Sequence, residues 1–345
     1  MRNKIIRFSF LLLLLTLIQN KMYAQNNDFY QMVEYAVKAP SGHNTQPWKF
    51  KIKNSSIEIH PDFTKTLPVV DSDNRELFIS LGCAAENLCI TASVLNYESK
   101  MSVSEEGVIT IHLNKSNTVQ HDSLFAEIEK RQINRDIYDY RLVEDDVLKD
   151  CLSVISSDNT RFYCWKNGSE SFETLKQLVI KGNILQMDDK MFVKELKSWM
   201  RFNKKESNAR KDGLSYDVFG APNLPAFIAR PAISSFLNSK KQNKGDSKKI
   251  ESSSHFVLFT SMNSMQNDWI VLGRQMQRFL LKLTAYGITH AYMNQPCEVE
   301  ELRIRIKEQL PVNKEYPQIL LRVGYAKQAP YAKRKNVNDV IVEQW

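Results

Sequence analysis

The chain has 345 residues, of which 43% are hydrophobic and 25% charged, and a formal net charge of +8. Four lysines and arginines lie within the first 24 residues and no acid does, so without that segment the charge falls to +4, a balance that does not call for a nucleic-acid partner. Five cysteines, an odd number without C-x-x-C spacing, imply neither a disulfide framework nor a zinc site, although export would permit a bridge.

Residues 1–24 read as an export signal. Arg2, Lys4 and Arg7 precede the apolar run Phe8 to Ile18, and Ala24 offers a small residue for cleavage, while Met22 suits the upstream cleavage position poorly. The run holds 11 residues, and crossing hydrocarbon takes about 20. The expectation is an exported, periplasmic protein without stable membrane insertion. Roughly 320 residues then remain, the upper limit of a single core or enough for two halves that share one.

After the N-cap candidate Asp28, the residues Phe29, Met32, Val33, Ala36 and Val37 recur at helical spacing. Trp48, Phe50 and Ile52 alternate with lysines as in a half-buried strand. Between them runs A-P-S-G-H-N-T-Q-P-W-K-F, Ala39 to Phe50. Pro40 and Pro47 fix φ and hold Ser41, His43, Asn44, Thr45 and Gln46 in a defined loop. Held polar groups suit a planar, hydrogen-bonding ligand; equally, Asn and Ser in a surface turn bond their own backbone.

Ile57 to His60 reads as a second strand. Asp73 with Glu76 makes a capping-box-like start to a helix carrying Leu77, Leu81, Ala84, Ala85, Leu88 and Ala92 over a broad apolar arc. Met101 to Val103 and Val108 to Leu113 read as a hairpin that closes a first half at about residue 120. An amphipathic helix is expected over Ser123 to Arg131, a helix at about Glu144 to Ile155, a strand at Arg161 to Trp165 and a helix at about Glu170 to Leu185. Residues 203–250 show no clear periodicity, which suits a functional cover or a disordered insertion. Gly273 to Tyr286 lies over Gly82 to Leu95 at a constant offset of 191, pairing Gly82 with Gly273 and Leu88 with Phe279. This predicts a repeat, with halves at 25–120 and 121–345. Pro317 to Ala326 reads as a buried strand in which Arg322 is structural. His43 reads as a pocket-lining or cap residue. His60, His112, His121, His255 and His290 are scattered, so no metal cluster is expected, and neither G-x-G-x-x-G nor a Walker pattern occurs.

The segment A-P-S-x-x-N-x-Q-P-W, with D-N-R-E-L-F-I-S-L-G downstream, resembles the FMN-dependent nitroreductase superfamily, and the spelling H-N-T-Q-P-W is similar to its Acg branch. The resemblance runs from about Phe29 to Val340. It implies an α+β fold of two fused, pseudo-dimeric halves, each with a mainly antiparallel sheet packed by helices, in a monomer. It assigns the flavin phosphate to Arg131 and Arg135 of R-Q-I-N-R, with Asn134 adding a polar contact, and to Arg334 of the tail. It places the FMN ring beside Pro40, Ser41, Gly42, Asn44 and Gln46 from the first half. From the second half come Tyr292, Met293, Asn294 and Gln295, where many nitroreductases have an acid and a glycine. The second half has no such loop; Val179 to Gln186 stands where a repeat of it is sought. One site is therefore complete and the other degenerate, with residues 203–250 as a lid over the degenerate one. The implied reaction is hydride transfer from NAD(P)H to FMN and on to a nitro, quinone or similar small-molecule acceptor, without a protein nucleophile. The alternatives are a flavin-binding or flavin-sequestering protein with little turnover, and a structural protein that has lost flavin.

Overall fold

The computed structural model describes residues 25–154, 159–312 and 314–342. The export-signal reading and the end of the helix expected to reach Ile155 lie outside the described residues.

Helix α1 (residues 25–36) leads into β1 (Trp48–Lys53), β2 (Ser56–Pro61), α2 (Arg75–Val94), β3 (Tyr97–Val103) and β4 (Ile109–Lys115). The strands form one antiparallel sheet in the order β1-β2-β4-β3. Side chains alternate along each strand, so Trp48, Phe50, Ile57, Ile59, Ile109 and Ile111 all turn to one face and are buried there against α2.

The rest of the chain contributes α3 (Asp145–Leu152), β5 (Thr160–Lys166), α4 (Glu170–Asp188), α5 (Lys190–Trp199), β6 (Met200–Arg201), α6 (Lys204–Arg210), β7 (Leu214–Ser215), α7 (Ala226–Phe236) and α8 (Ser239–Glu251). Then follow β8 (His255–Ser261), α9 (Gln266–Ala285), β9 (Thr289–Tyr292), α10 (Gln295–Glu298), α11 (Glu300–Gln309), β10 (Tyr316–Gly324) and α12 (Val337–Val340). A second antiparallel sheet runs β5-β8-β10-β9. Numbered within its own sheet, each set of strands follows the order first, second, fourth, third, with a 20-residue helix between the second and third strands. The architecture is α+β, with the same sheet topology occurring twice.

The two long helices cross at their glycines. A methyl group on Gly82 would lie 2.1 Å from the Ile270 carbonyl oxygen, and one on Gly273 would lie 2.1 Å from that of Ile79. Ile79 and Ile270 are also 191 residues apart, so the contact is reciprocal, as at a local two-fold axis. Each helix there permits only glycine, because the backbones touch. One core of α1, α2, α9 and both sheets surrounds this crossing. A second lies on the far face of β8, where Phe256 and Leu258 meet Phe172, Leu175 and Val179 of α4. β8 is buried along both faces. Although α2 is long and apolar enough to cross a membrane, most of it is buried inside the protein.

Several expectations change. Val179 to Gln186 belongs to α4, after β5, and so does not stand before the first strand of its sheet as Ala39 to Pro47 does. The α2 start is capped by Asp71, whose carboxylate accepts from the Glu76 and Leu77 N–H groups at 2.9 and 3.0 Å, rather than by an Asp73–Glu76 box. The helix expected over Ser123 to Arg131 is a short 3-10 turn, Ser123–Glu127, capped by Asp122. Beyond it the chain is extended, and Ile133 bridges His290 while Asn134 N–H donates to the His290 carbonyl at 2.9 Å. Residues 203–250 hold ordered helices, and α8 packs on α4 through Asn183, which donates to Asp246 at 3.1 Å.

Candidate functional site

Between the two sheets lies a slot with one basic and one acidic end. The loop before β1 forms a wall. His43, Asn44 and Gln46 all have positive φ, at 46°, 55° and 53°. Such backbone costs about 1–3 kcal/mol per residue and persists where tertiary bonds impose it. Those bonds are present. Asn44 Nδ2 donates to the Gly213 and Lys333 carbonyls at 3.0 and 3.1 Å, and Gly213 N–H donates back to the Asn44 carbonyl at 3.0 Å. Gln46 Nε2 donates to the Lys211 carbonyl at 2.8 Å, and the Lys335 N–H donates to Gln46 Oε1 at 2.9 Å.

The basic end gathers Arg131, Arg135 and Arg334 around Pro40, Ser41 and Asn44. Arg131 is 4% exposed; its Nη2 donates to the Lys38 carbonyl at 2.9 Å, and its Nε and Nη1 have no partner. Arg334 donates to Asn44 Oδ1 at 2.8 Å and to the Ala39 carbonyl at 3.2 Å, leaving Nε unpartnered. Arg135 stacks 5.5 Å from the Phe219 ring. Among the described residues, none of the three guanidiniums has a carboxylate within ion-pair distance. Burial lowers all three, Arg135 to about 10 and Arg334 to about 9, and Arg131 adds repulsion at Arg334. All stay charged at neutral pH. His290 lies beside them, buried, with Nε2 unpartnered, and burial followed by Arg131 and Arg135 lowers its pKa to about 3. His43 is lowered to about 4 by burial and Arg135. One buried and two half-buried cations, beside two neutral imidazoles and, among the described residues, no paired acid, form a site for an anion with several acceptor oxygens.

Past Arg135 the slot continues between Pro40, Ser41, Gly42 and His43 on one side and Ile79, Ser80 and Cys83 of α2 on the other. Tyr292, Asn294, Met276 and Ile319 close it from the second sheet and α9, and Leu214 covers it. This stretch is narrow, its apolar walls of Pro40, Ile79, Met276 and Ile319 interrupted by polar groups at both ends, and suits a flat ring system with polar edges.

No family model matches the chain. The putative NAD(P)H nitroreductase Rv3131 of Mycobacterium tuberculosis is 23% identical over 301 residues, covering 84% of this chain and 83% of that protein. The uncharacterized protein Rv3127 of the same organism is 23% identical over 314 residues, covering 84% and 85%. These matches support a place in the nitroreductase superfamily. Among solved structures, an FMN- and NADPH-dependent nitroreductase NfnB variant from Sphigopyxis aligns with TM-score 0.44, 13% identity, and coverage of 65% of this chain and 99% of that one. The Bacteroides fragilis nitroreductase with bound FMN aligns with TM-score 0.38, 16% identity and coverage of 62% and 94%.

Not every residue expected at the nitroreductase-like site reaches the slot. Pro40, Ser41, Gly42, Asn44, Arg131, Arg135, Tyr292, Asn294 and Arg334 line it. Asn134 does not: its Nδ2 donates to the Lys327 carbonyl at 2.7 Å and its Oδ1 accepts from Asp136 N–H. In extended backbone, residues 131, 133 and 135 share a face and residue 134 takes the opposite one. Gln46 is fully buried and ties the loop to residues 211 and 335. Met293 turns into the core beside α4, and Gln295 Nε2 donates to Asn183 at 2.9 Å. Residues 211–218 lie over the loop and the basic end, so this part of the 203–250 segment covers this slot. Arg322 is structural, donating to the Asn134 and Asp136 carbonyls at 3.2 and 2.7 Å and so holding the backbone on either side of Arg135. Glu76, Cys83 and Glu298 line the slot without having been expected there. All five cysteines are unpaired, and among the described residues no metal-binding cluster of His, Cys, Asp and Glu occurs.

Proposed function

We propose that the protein is an exported, periplasmic FMN-dependent oxidoreductase of the Acg-like branch, a monomer whose two fused halves hold one flavin between them. The observation that carries this reading is the cluster of Arg131, buried, with Arg135 and Arg334, half-buried, which pairs with no acid among the described residues and lies beside the loop Pro40 to Asn44. A flavin phosphate supplies the missing negative charge and accepts from the unpartnered N–H groups of Arg131 and Arg334. Pro40, Ser41 and Gly42 on one side and Tyr292 on the other flank the ring. When bound, the flavin supplies hydride chemistry, accepting from NAD(P)H and reducing a nitro, quinone or similar small molecule. The protein orients the ring, keeps water from it and needs no nucleophile. The roughly 160 Å³ left at the ring end is small for a cofactor site, which supports residues 211–218 acting as a lid that moves on loading.

The bonds between that segment, Asn44 and Gln46 also favour a second reading, in which the lid retains flavin and turnover is slight. One experiment separates them. The mature protein is loaded with FMN, desalted, and its absorbance followed on anaerobic addition of NADPH. Retained flavin that bleaches supports the oxidoreductase. Retained flavin that stays yellow supports storage or another donor, and colourless protein removes both.

A further inference from the structure

The acidic end of the slot has no role in the reading above. Glu76 near the start of α2 and Glu298 at the end of α10 both line the cavity, beside Gly42, His43 and Ser80. Asn294 lies between them. Its Nδ2 donates to Glu76 Oε1, and its side chain also bonds Glu298, whose Oε2 accepts from Gln186 Nε2 at 2.5 Å. Glu76 Oε2 faces the loop: a methyl group on Gly42 would lie 3.2 Å from it. The Glu76 side chain is 11% exposed and Glu298 is partly exposed, so the pair bridges the slot and solvent.

The surrounding charges do not balance two carboxylates. Arg75 Nη2 stands 3.7 Å from Glu76 Oε1, but that guanidinium also donates to the carbonyls of Gln318 and Cys297 at 2.9 and 3.1 Å. Asp71 adds a third acid from the loop before α2, and its oxygens are spent on the helix cap. Tyr292 of β9, Cys83 of α2 and, across the slot, His43 and Arg135 are the other titratable groups that line this cavity. Burial, then Glu298 and Asp71, hold Glu76 well above the usual carboxylate range; burial raises Glu298 as well, and Asp71 to about 6. Two like carboxyls, largely removed from water and with one nearby guanidinium, retain a proton between them.

We propose that Glu76 and Glu298 share one proton at the inner end of the slot, and that Glu76 Oε2 delivers it to the oxygen of an acceptor reduced there. This deepens the oxidoreductase reading and rests on it. It narrows the acceptor to an oxygen-centred group, a quinone carbonyl or a nitro group, that must gain a proton along with its electrons. A quinone that receives hydride from the reduced donor becomes a hydroquinone monoanion. Its new O–H bond forms as the Glu76 O–H bond breaks, and the carboxylate left behind regains a proton from solvent, to which the pair is partly open. For a nitro group the same hydride and proton give the nitroso product and one water.

The test uses the FMN-loaded protein, photoreduced without oxygen and mixed in a stopped-flow with a soluble benzoquinone or with ferricyanide, which takes electrons and no proton. Glu76→Gln is expected to lower the quinone-to-ferricyanide rate ratio by about 100-fold, the usual scale of a general acid. With native protein the quinone rate falls as pH rises through the titration of the pair. In Glu298→Gln that fall moves to lower pH, because the like charge that holds the Glu76 proton is gone. Independently of turnover, the infrared spectrum of the ligand-free protein at neutral pH should contain a protonated-carboxyl C=O band that Glu76→Gln removes. An unchanged rate ratio, or no such band, overturns the proposal. If Glu76→Gln does not fold, the pH shift in Glu298→Gln decides. If no flavin is retained, the oxidoreductase reading fails while the infrared band still decides whether the pair holds a proton.

Discussion

Two pairs of arginines, each pair four residues apart, meet opposite fates. On α9, Arg274 and Arg278 close on Glu86 of α2 at 2.7 and 2.8 Å, and Arg278 also reaches Asp122 at 2.8 Å. Arg131 is buried and Arg135 half-buried, and among the described residues neither meets an acid. Arg274 follows Cys83 by 191 residues, the offset that relates the two central helices, and Cys83 lines the slot. Where one half leaves space beside its central helix, the other sets a guanidinium with its own counterion. A buried cation that the protein neutralises belongs to the architecture; one that it leaves bare needs a ligand for its charge.

The contrast can be broken at several points. Removing the shared acid with Glu86→Ala leaves the half-buried Arg274 uncompensated and Arg278 with Asp122 alone, and is expected to cost about 3–5 kcal/mol in urea unfolding; a loss under about 1 kcal/mol would mean that this cluster is not structural. Gly82→Ala drives a methyl group into the Ile270 carbonyl at the crossing of α2 and α9. It should cost about 1–3 kcal/mol, and full stability would contradict the reciprocal glycine contact. Arg131→Met should act with the opposite sign, because it removes a charge that nothing neutralises. The ligand-free protein is expected to gain about 1–2 kcal/mol, while FMN is held about 10- to 100-fold more weakly. A destabilised Arg131→Met that keeps its flavin would reverse the assignment of the two pairs.

The histidine between the bare arginines sharpens the same point through pH. Folding holds His290 at about 3, against about 6.5 in an unfolded chain. The unfolded state therefore binds the proton more readily in that interval. Stability is complete above about 6.5 and is lost as pH falls toward the folded value, by about 1.4 kcal/mol per pH unit. His290→Gln should remove that slope from a series of urea titrations, and an unchanged slope would mean that other groups cause it. At the small end stands Arg141, exposed and paired with Asp139 at 2.7 Å. Arg141→Ala should change stability by less than about 0.5 kcal/mol, and a larger loss would show that an exposed pair can matter as much as a buried one.

Much of the site was legible before the fold. Pro40 and Pro47 bracket a polar loop, and this loop is the wall of the slot. Arg131 and Arg135 were legible as a pair from the spelling R-Q-I-N-R, and they share a face because the chain there is extended. The same geometry explains the error at Asn134, which a one-residue step turns away. Gln46 carries the right chemistry for a ligand, but its amide is consumed by residues 211 and 335, contacts that no local pattern encodes. Glu76 was legible only as part of a helix start. Its partner Glu298 is 222 residues away in the chain, and isolated acids at helix ends ordinarily cap or face water.

By itself the sequence determined the local elements: the apolar arc of α2, the loop held between two prolines, and the glycine that recurs at an offset of 191. These depend on side-chain period and backbone preference within a few residues. Only the tertiary structure decided which charges have partners. It brings Glu86 to Arg274 and Arg278 and, among the described residues, no acid to Arg131, Arg135 and Arg334, and it puts Glu76 and Glu298 in one cavity. Charge balance in a dry interior is a sum over everything within a few ångströms, and no window of sequence contains that sum.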